Sequence, residues 1–282
     1  MYKFFFSIAF LFLLACNRED VGKKLENESE IVVDGSIEEG DVAQVILSLS
    51  VPINTTIDTI NGINYVIRSA KVTVSDGVNE EILRLKRNNK YLPPFVYYGS
   101  SIIGKAGKKY NLKIEYLNKI IEATTSIPKA VPILSATYNK QNLTDQTGYI
   151  FIKFKDPETE KNFYQIETRL MKHDSLFIPT LYGNLSDDNF TSPEVSIQIY
   201  RGKSFYEKET YKPYFVDGDK IFVKLRTMNK AGYEFWNSWQ NEFINGSNPI
   251  FPNTTSLKSN IKGGIGIWEG YGQQTVFVNT AN

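Results

Sequence analysis

The chain is short of the side chains that most enzymes depend on. Its 282 residues include one cysteine, Cys16, and one histidine, His173. A lone cysteine excludes an intrachain disulfide, and one cysteine with one histidine excludes the usual zinc sites. No sign of charge dominates either: 32 Lys and Arg stand against 31 Asp and Glu. Such a balance has no pull on a nucleic-acid backbone, so no nucleic-acid partner is expected. The glycine-rich stretch at residues 263–266 lacks the GxxxxGK[ST] order of a phosphate loop, so its glycines read as structural. The apolar run at residues 4–15, interrupted only by Ser7, is short. Twelve residues of helix rise about 18 Å, against a hydrocarbon core of about 30 Å.

Catalytic letters are few. His173, Asp174 and Ser175 are adjacent. Neighbours along a strand point to opposite faces and cannot form a proton relay. Asp187, Asp188 and Asn189 lack the spacing and the closing Glu of a calcium loop. No catalytic residue, metal site or cofactor is therefore expected, and the chain reads as a non-enzyme. A hydrolase whose carboxylates meet only in the fold is the enzymatic alternative.

What the chain does have begins at its start. Lys3 precedes the greasy run, as in a signal-peptide core. Leu13-Leu14-Ala15-Cys16 resembles a bacterial lipobox. Residues 1–15 are then expected to be removed, leaving Cys16 as an acylated N-terminus anchored in the membrane. Each buried CH₂ contributes about 0.8 kcal/mol, so two or three chains hold a protein durably. After Asn17, Arg18, Glu19 and Asp20 resemble the short charged signal that sends Bacteroidota lipoproteins to the outer face of the outer membrane. The expected location is the outer membrane, lipid-anchored and facing the exterior. Residues 16–30 are polar and read as a flexible tether.

Beyond the tether, strand signals dominate, and the fold class expected is all-β: two β-sandwich domains, immunoglobulin-like and fibronectin type III-like. Residues 42–50 alternate Val45, Leu47 and Leu49 with Ile46, Ser48 and Ser50, and residues 71–75 end in a turn at Asp76-Gly77. Residues 80–88 follow at hairpin spacing. Tyr110 opens an alternating strand and resembles the tyrosine corner of immunoglobulin-like sandwiches. Pro128 and Pro132 mark a boundary, giving a first sandwich over 31–130 and a second over 131–282. Residues 174–193 read as a polar loop insertion. Phe235, Trp236, Trp239 and Phe243 recur at helical spacing, so a short helix over 230–243 is expected, its aromatic stripe packed on a sheet.

Two kinds of surface feature stand out. Tyr91, Phe95, Tyr97 and Tyr98, stiffened by Pro93 and Pro94, form a candidate contact loop within residues 90–101. Thr59 and Ser175, each in an Asp-Ser/Thr-apolar triplet, resemble Bacteroidota O-glycosylation sites.

The string Ser259-Asn260-Ile261-Lys262-Gly263-Gly264-Ile265-Gly266-Ile267-Trp268 is unusual. Together with the lipobox and the segments at 31–37, 45–52, 69–77, 104–116 and 218–236, it resembles the Bacteroidota lipoprotein family of domain of unknown function 4249. That resemblance covers nearly all of residues 12–279. It implies a β-rich outer-membrane lipoprotein associated with TonB-dependent transporters, without an established activity or ligand. The expected function is a non-catalytic binding or accessory subunit beside such a transporter. The alternative is a structural or adhesive surface module.

Overall fold

The computed structural model describes residues 29–50, 62–142, 144–203, 210–245 and 257–281. Among them are sixteen strands and one α-helix. The first eight strands are β1 (Ile31–Glu38), β2 (Val42–Leu49), β3 (Lys71–Ser75), β4 (Glu80–Ile82), β5 (Arg84–Arg87), β6 (Phe95–Ile103), β7 (Lys109–Tyr116) and β8 (Lys119–Ser126). Then come β9 (Ile133–Lys140), β10 (Thr147–Lys155), β11 (Phe163–Leu170), β12 (Ile178–Ser186) and β13 (Glu194–Ile199). The chain ends with β14 (Phe215–Val216), β15 (Lys220–Met228), helix α1 (Lys230–Asn245) and β16 (Ile265–Asn279). No helix among the described residues is long and apolar enough to cross a membrane.

Alternation sorts the side chains. In β1, Ile31, Val33 and Ile37 are buried, while Asp34 and Glu38 take the other face. In β15, Ile221, Val223 and Leu225 point inward, and Phe222, Lys224 and Arg226 point out. The inward faces belong to one eight-stranded sheet, ordered β12-β11-β15-β16-β1-β2-β6-β5. Two smaller sheets pack on it. The sheet β4-β3-β7-β8 closes a first core around Val33, Val45, Leu47, Val72 and Ile114. The strands β13, β10 and β14, with β9 beside β10, close a second core around Ile152, Phe154, Tyr164, Val223 and Leu225. The architecture is thus all-β, two sandwiches sharing one continuous sheet.

β16 joins them. Its first part runs parallel to β1, from Val32 opposite Ile265 to Glu38 opposite Tyr271. Its second part runs antiparallel to β15, from Thr227 opposite Gly272 to Lys220 opposite Asn279. The first core ends in sequence at Ile127 and the second begins at Val131, but Ile261 and Trp268 return to the first. Residues 261–268 therefore pack with the first sandwich although they lie within 131–282. Trp268 is fully buried there, and its Nε1 donates to the Tyr110 carbonyl at 3.0 Å. Gly35 makes room, since a Cβ at that position would sit 2.9 Å from the indole.

The unusual string now has a physical reading. Asn260 Oδ1 accepts from the Trp268 N–H at 2.9 Å, and its Nδ2 donates to the Trp268 carbonyl at 2.7 Å. The amide thus stands in for a neighbouring strand. Gly266 passes the Val33 carbonyl at φ +120, with no space for a Cβ. Tyr110 does form a tyrosine corner: its hydroxyl accepts from the Lys105 N–H at 2.8 Å and donates to the Ile103 carbonyl at 3.4 Å.

Three local expectations are corrected. Residues 80–88 are not one hairpin arm. β4 pairs with β3, then buried Leu83 turns the chain and β5 pairs with β6 in the large sheet. The stretch 174–193 is not simply a loop, because it contains β12 at the sheet edge. Pro179 and Gly183 masked the strand signal, and an edge position tolerates proline. The helix is also longer than 230–243, reaching Asn245 over 16 residues.

Candidate functional site

The outer face of the large sheet turns away from both cores and carries buried charge. Arg226 is the hub. Its Nη1 donates to Glu167 Oε1 at 2.6 Å, and its Nη2 donates to Glu38. Lys224 Nζ donates to the other Glu38 oxygen at 2.9 Å. The Arg226 guanidinium lies 4.5 Å from the Tyr271 ring centroid, and the Lys224 ammonium 4.3 Å from that of Phe177. Burial pushes the Glu38 carboxyl up, but the charges and hydrogen bonds of Arg226 and Lys224 outweigh it and hold it at about 2. At Glu167 burial wins and the carboxyl is raised despite Arg226. Glu167 Oε2 and Arg226 Nε have no hydrogen-bond partner among the described residues.

Helix α1 covers part of this face. Trp236 Nε1 donates to the Tyr271 hydroxyl at 2.7 Å, and Tyr233 stacks on Phe163 with centroids 5.0 Å apart. At the start of the helix lies Glu269, fully buried. Its Oε1 accepts from Asn229 N at 2.9 Å and Nδ2 at 2.6 Å, while Oε2 has no partner among the described residues. Burial pushes this carboxyl up to about 8, against the hydrogen bonds from Asn229. Gly232 lets the helix approach, since a Cβ there would lie 2.9 Å from the carboxyl carbon. Asn229 Nδ2 also reaches the Ser126 carbonyl at 2.6 Å, tying the helix to the first sandwich.

Beyond the helix the cover opens into a cleft of ≈ 1080 Å³. Asp34 and Ile46, from the central strands β1 and β2, form its floor. Tyr91, Phe177, Trp236 and Trp239 supply aromatic walls, and Lys90 and Lys212 bring positive charge to it. The Tyr91 hydroxyl donates to Gln44 Oε1 at 2.9 Å, and desolvation raises its pKa above the ordinary tyrosine value. The Asp34 side chain is exposed at the cleft. The surrounding protein pushes its carboxyl up, and the charge of Arg226 opposes the push.

The cleft gathers three segments that are far apart in sequence: the contact loop at 90–101, the stretch at 174–193 and the aromatic helix. Of the candidate contact residues, Tyr91 lines the cleft. Phe95 is half-buried under Arg68, whose guanidinium lies 5.4 Å from the ring centroid. Tyr98 is half-buried and accepts from Asn88 Nδ2 at 2.8 Å. Tyr97 is corrected: it is a core residue, its hydroxyl bonded to the Ile67 carbonyl at 3.1 Å. β6 starts at Phe95, so strand alternation turns Tyr97 inward. Ser175 is exposed at the cleft beside His173 and Asp174. The Asp174 carboxylate accepts from the Leu170 N–H at 2.8 Å, capping a turn. Cys16, Arg18, Glu19, Asp20 and Thr59 lie outside the described residues. Among the described residues no group of three or more His, Cys, Asp or Glu side chains is placed to hold a metal.

The buried charges beside the cleft, and Asp34 on its floor, were missed by sequence reasoning. Asp34, Glu38, Glu167, Lys224 and Arg226 alternate with apolar neighbours, a pattern that reads as a solvated face. Only the third dimension shows that loops and a helix cover it.

Fold and cleft together define a double-sandwich β protein with a recessed cleft of polar and aromatic lining. The sequence matches the family described as Domain of unknown function (DUF4249) over residues 19–276, and the chain belongs to that family. No curated protein matches it. Among solved structures, a two-domain fibronectin type III segment of chicken tenascin is similar, at 6% identity and a TM-score of 0.24. That likeness covers 89% of this chain and 99% of the tenascin segment. The fold assignment rests on the strand pairing above.

Proposed function

We propose that this protein is a lipid-anchored outer-membrane protein that binds a ligand in the cleft and serves, without catalysis, as an accessory to a TonB-dependent transporter. The observation that carries the reading is the convergence of residues 89–92, residues 173–181 and helix α1 on one cleft. Recognition commonly sits on loops held by a rigid scaffold, and here two sandwiches hold them. The lipobox at Cys16 and the charged residues Arg18, Glu19 and Asp20 support the anchor and its outward face. The absence of catalysis is supported by how the polar groups are used. Glu38, Glu167, Lys224 and Arg226 are engaged with one another, and Asp174 caps a turn. Partners confined to one membrane meet at raised effective concentration, so a weak interface with the transporter is occupied.

Affinity purification from gently solubilised outer membranes tests this. A TonB-dependent transporter should come along, and the intact mass of the bait should show acyl chains on Cys16. Recovery of the lipoprotein alone, where other transporter complexes survive, overturns the partnership and leaves a free-standing surface module.

A further inference from the structure

The cleft is lined by charge of both signs. Asp34 lies on its floor, Asp174 and Asp219 stand elsewhere in its lining, and Lys90, Arg201, Lys203 and Lys212 are its cations. Beside the cleft, Lys224 and Arg226 are committed to Glu38, and Arg226 to Glu167 as well. Asp34 has no hydrogen-bond or ion-pair partner among the described residues, although it sits in the middle of the sheet rather than at an edge. Asp34 is exposed to the cleft, and Arg226 acts on it only through its charge, without a hydrogen bond, so the carboxylate is open to pair with a cation brought from outside. Tyr91, which lines the same cleft, presents a ring suited to the carbon body beside such a cation. Lys90 and Lys212 also line the cleft and bring it positive charge. They repel a ligand that is only positive and favour one that also carries an anionic group.

We propose that the cleft binds a zwitterionic ligand whose primary amine pairs with Asp34 and whose anionic group lies towards Lys90 and Lys212. This rests on the cleft being a binding site and names the chemistry it takes. A short peptide with a free amino terminus and a deacetylated amino-sugar acid both present that chemistry. The volume of ≈ 1080 Å³ is ample for either.

The test is equilibrium dialysis of the full chain against four defined pools. These are random tetrapeptides with free amino termini, the same pool N-acetylated, glucosamine-containing acidic oligosaccharides, and the same sugars N-acetylated. Retention of one free-amine pool, at least tenfold stronger than its acetylated counterpart, is the expected result, and the pool retained identifies the source. Asp34→Asn should abolish that preference, with unchanged circular dichroism showing that it folds. Lys90→Ala with Lys212→Ala should weaken retention of acidic members several-fold. Equal retention of free and acetylated pools overturns the amine site while leaving a binding cleft. An Asp34→Asn variant that keeps the preference overturns the assignment to Asp34. Retention of none of the pools overturns the proposal. The transporter partnership stands or falls separately, on the membrane purification.

Discussion

Both faces of the eight-stranded sheet bury side chains, yet they are built from opposite materials. The inner face is aliphatic and aromatic, with Val33, Leu47, Val223, Leu225 and Trp268 closing two cores. The outer face holds Glu38, Glu167, Lys224 and Arg226 in contact under a helix and loops. Burial of the first kind stabilises by roughly 25 cal/mol per Å² of apolar area. Burial of the second kind is close to neutral against well-packed apolar residues, because desolvation offsets the Coulombic gain. Stability therefore comes from the inner face. The outer face is organised for something else, and the cleft opens on that side.

The largest break should come on the inner face. Trp268→Ala is expected to lose about 3–5 kcal/mol in urea unfolding, since it empties a fully buried indole site. A loss below about 1 kcal/mol would mean that the first core closes without β16. On the outer face, Arg226→Met should cost about 3 kcal/mol, because Glu38 and Glu167 lose their shared partner. Adding Glu167→Leu should recover part of that loss, measured by the same unfolding curves. No recovery would show that the guanidinium acts through packing on Tyr271 instead.

A smaller effect, of opposite sign, is expected at Glu269. Its carboxyl is raised to about 8 in the fold, from an ordinary value of 4.5 in the open chain. The unfolded chain therefore releases this proton first. The penalty is absent below about pH 4.5, grows as the pH rises to about 8, and then levels off. Glu269→Gln should remove that slope and stabilise the protein at pH 8 by on the order of 2 kcal/mol. Melting temperatures of both forms across this range provide the check. Glu38 acts at the other end. Held at about 2, it stabilises the fold above its ordinary 4.5, and that contribution is lost as the pH falls from there through about 2. Smallest of all, Asp34→Asn should alter stability by less than about 1 kcal/mol, since no partner is lost. A large change in its melting temperature would place Asp34 in the scaffold rather than in the cleft.

Much of this was legible in the chain, and the rest was hidden for physical reasons. Alternation in β2, β7 and β15 reveals strands and their apolar faces, because a period of two needs only neighbours, whereas Asp34-Gly35 reads as a turn and lies inside β1. Tyr110 announced its corner because Gly107 and the strand after it are local. The aromatic spacing of Trp236 and Trp239 likewise revealed α1. What stayed hidden is long-range. Nothing in residues 31–38 says that they pair in parallel with residues 265–271. The alternating charges of Lys224 and Arg226 look solvated until α1 and the 173–181 segment are laid over them. β12 was lost behind Pro179 and Gly183, which an edge strand accepts.

β16 also sets a timetable. A chain is made from its amino end, so β1 emerges early and Trp268 more than two hundred residues later. Until then the edge of β1 that will receive β16 is bare and the first core lacks its largest plug. The first sandwich gains β16 only after the strands of the second have been made. Contacts that span nearly the whole chain make such folding slow and late. A polypeptide with this wiring completes its first core only after β9 to β15 have been made.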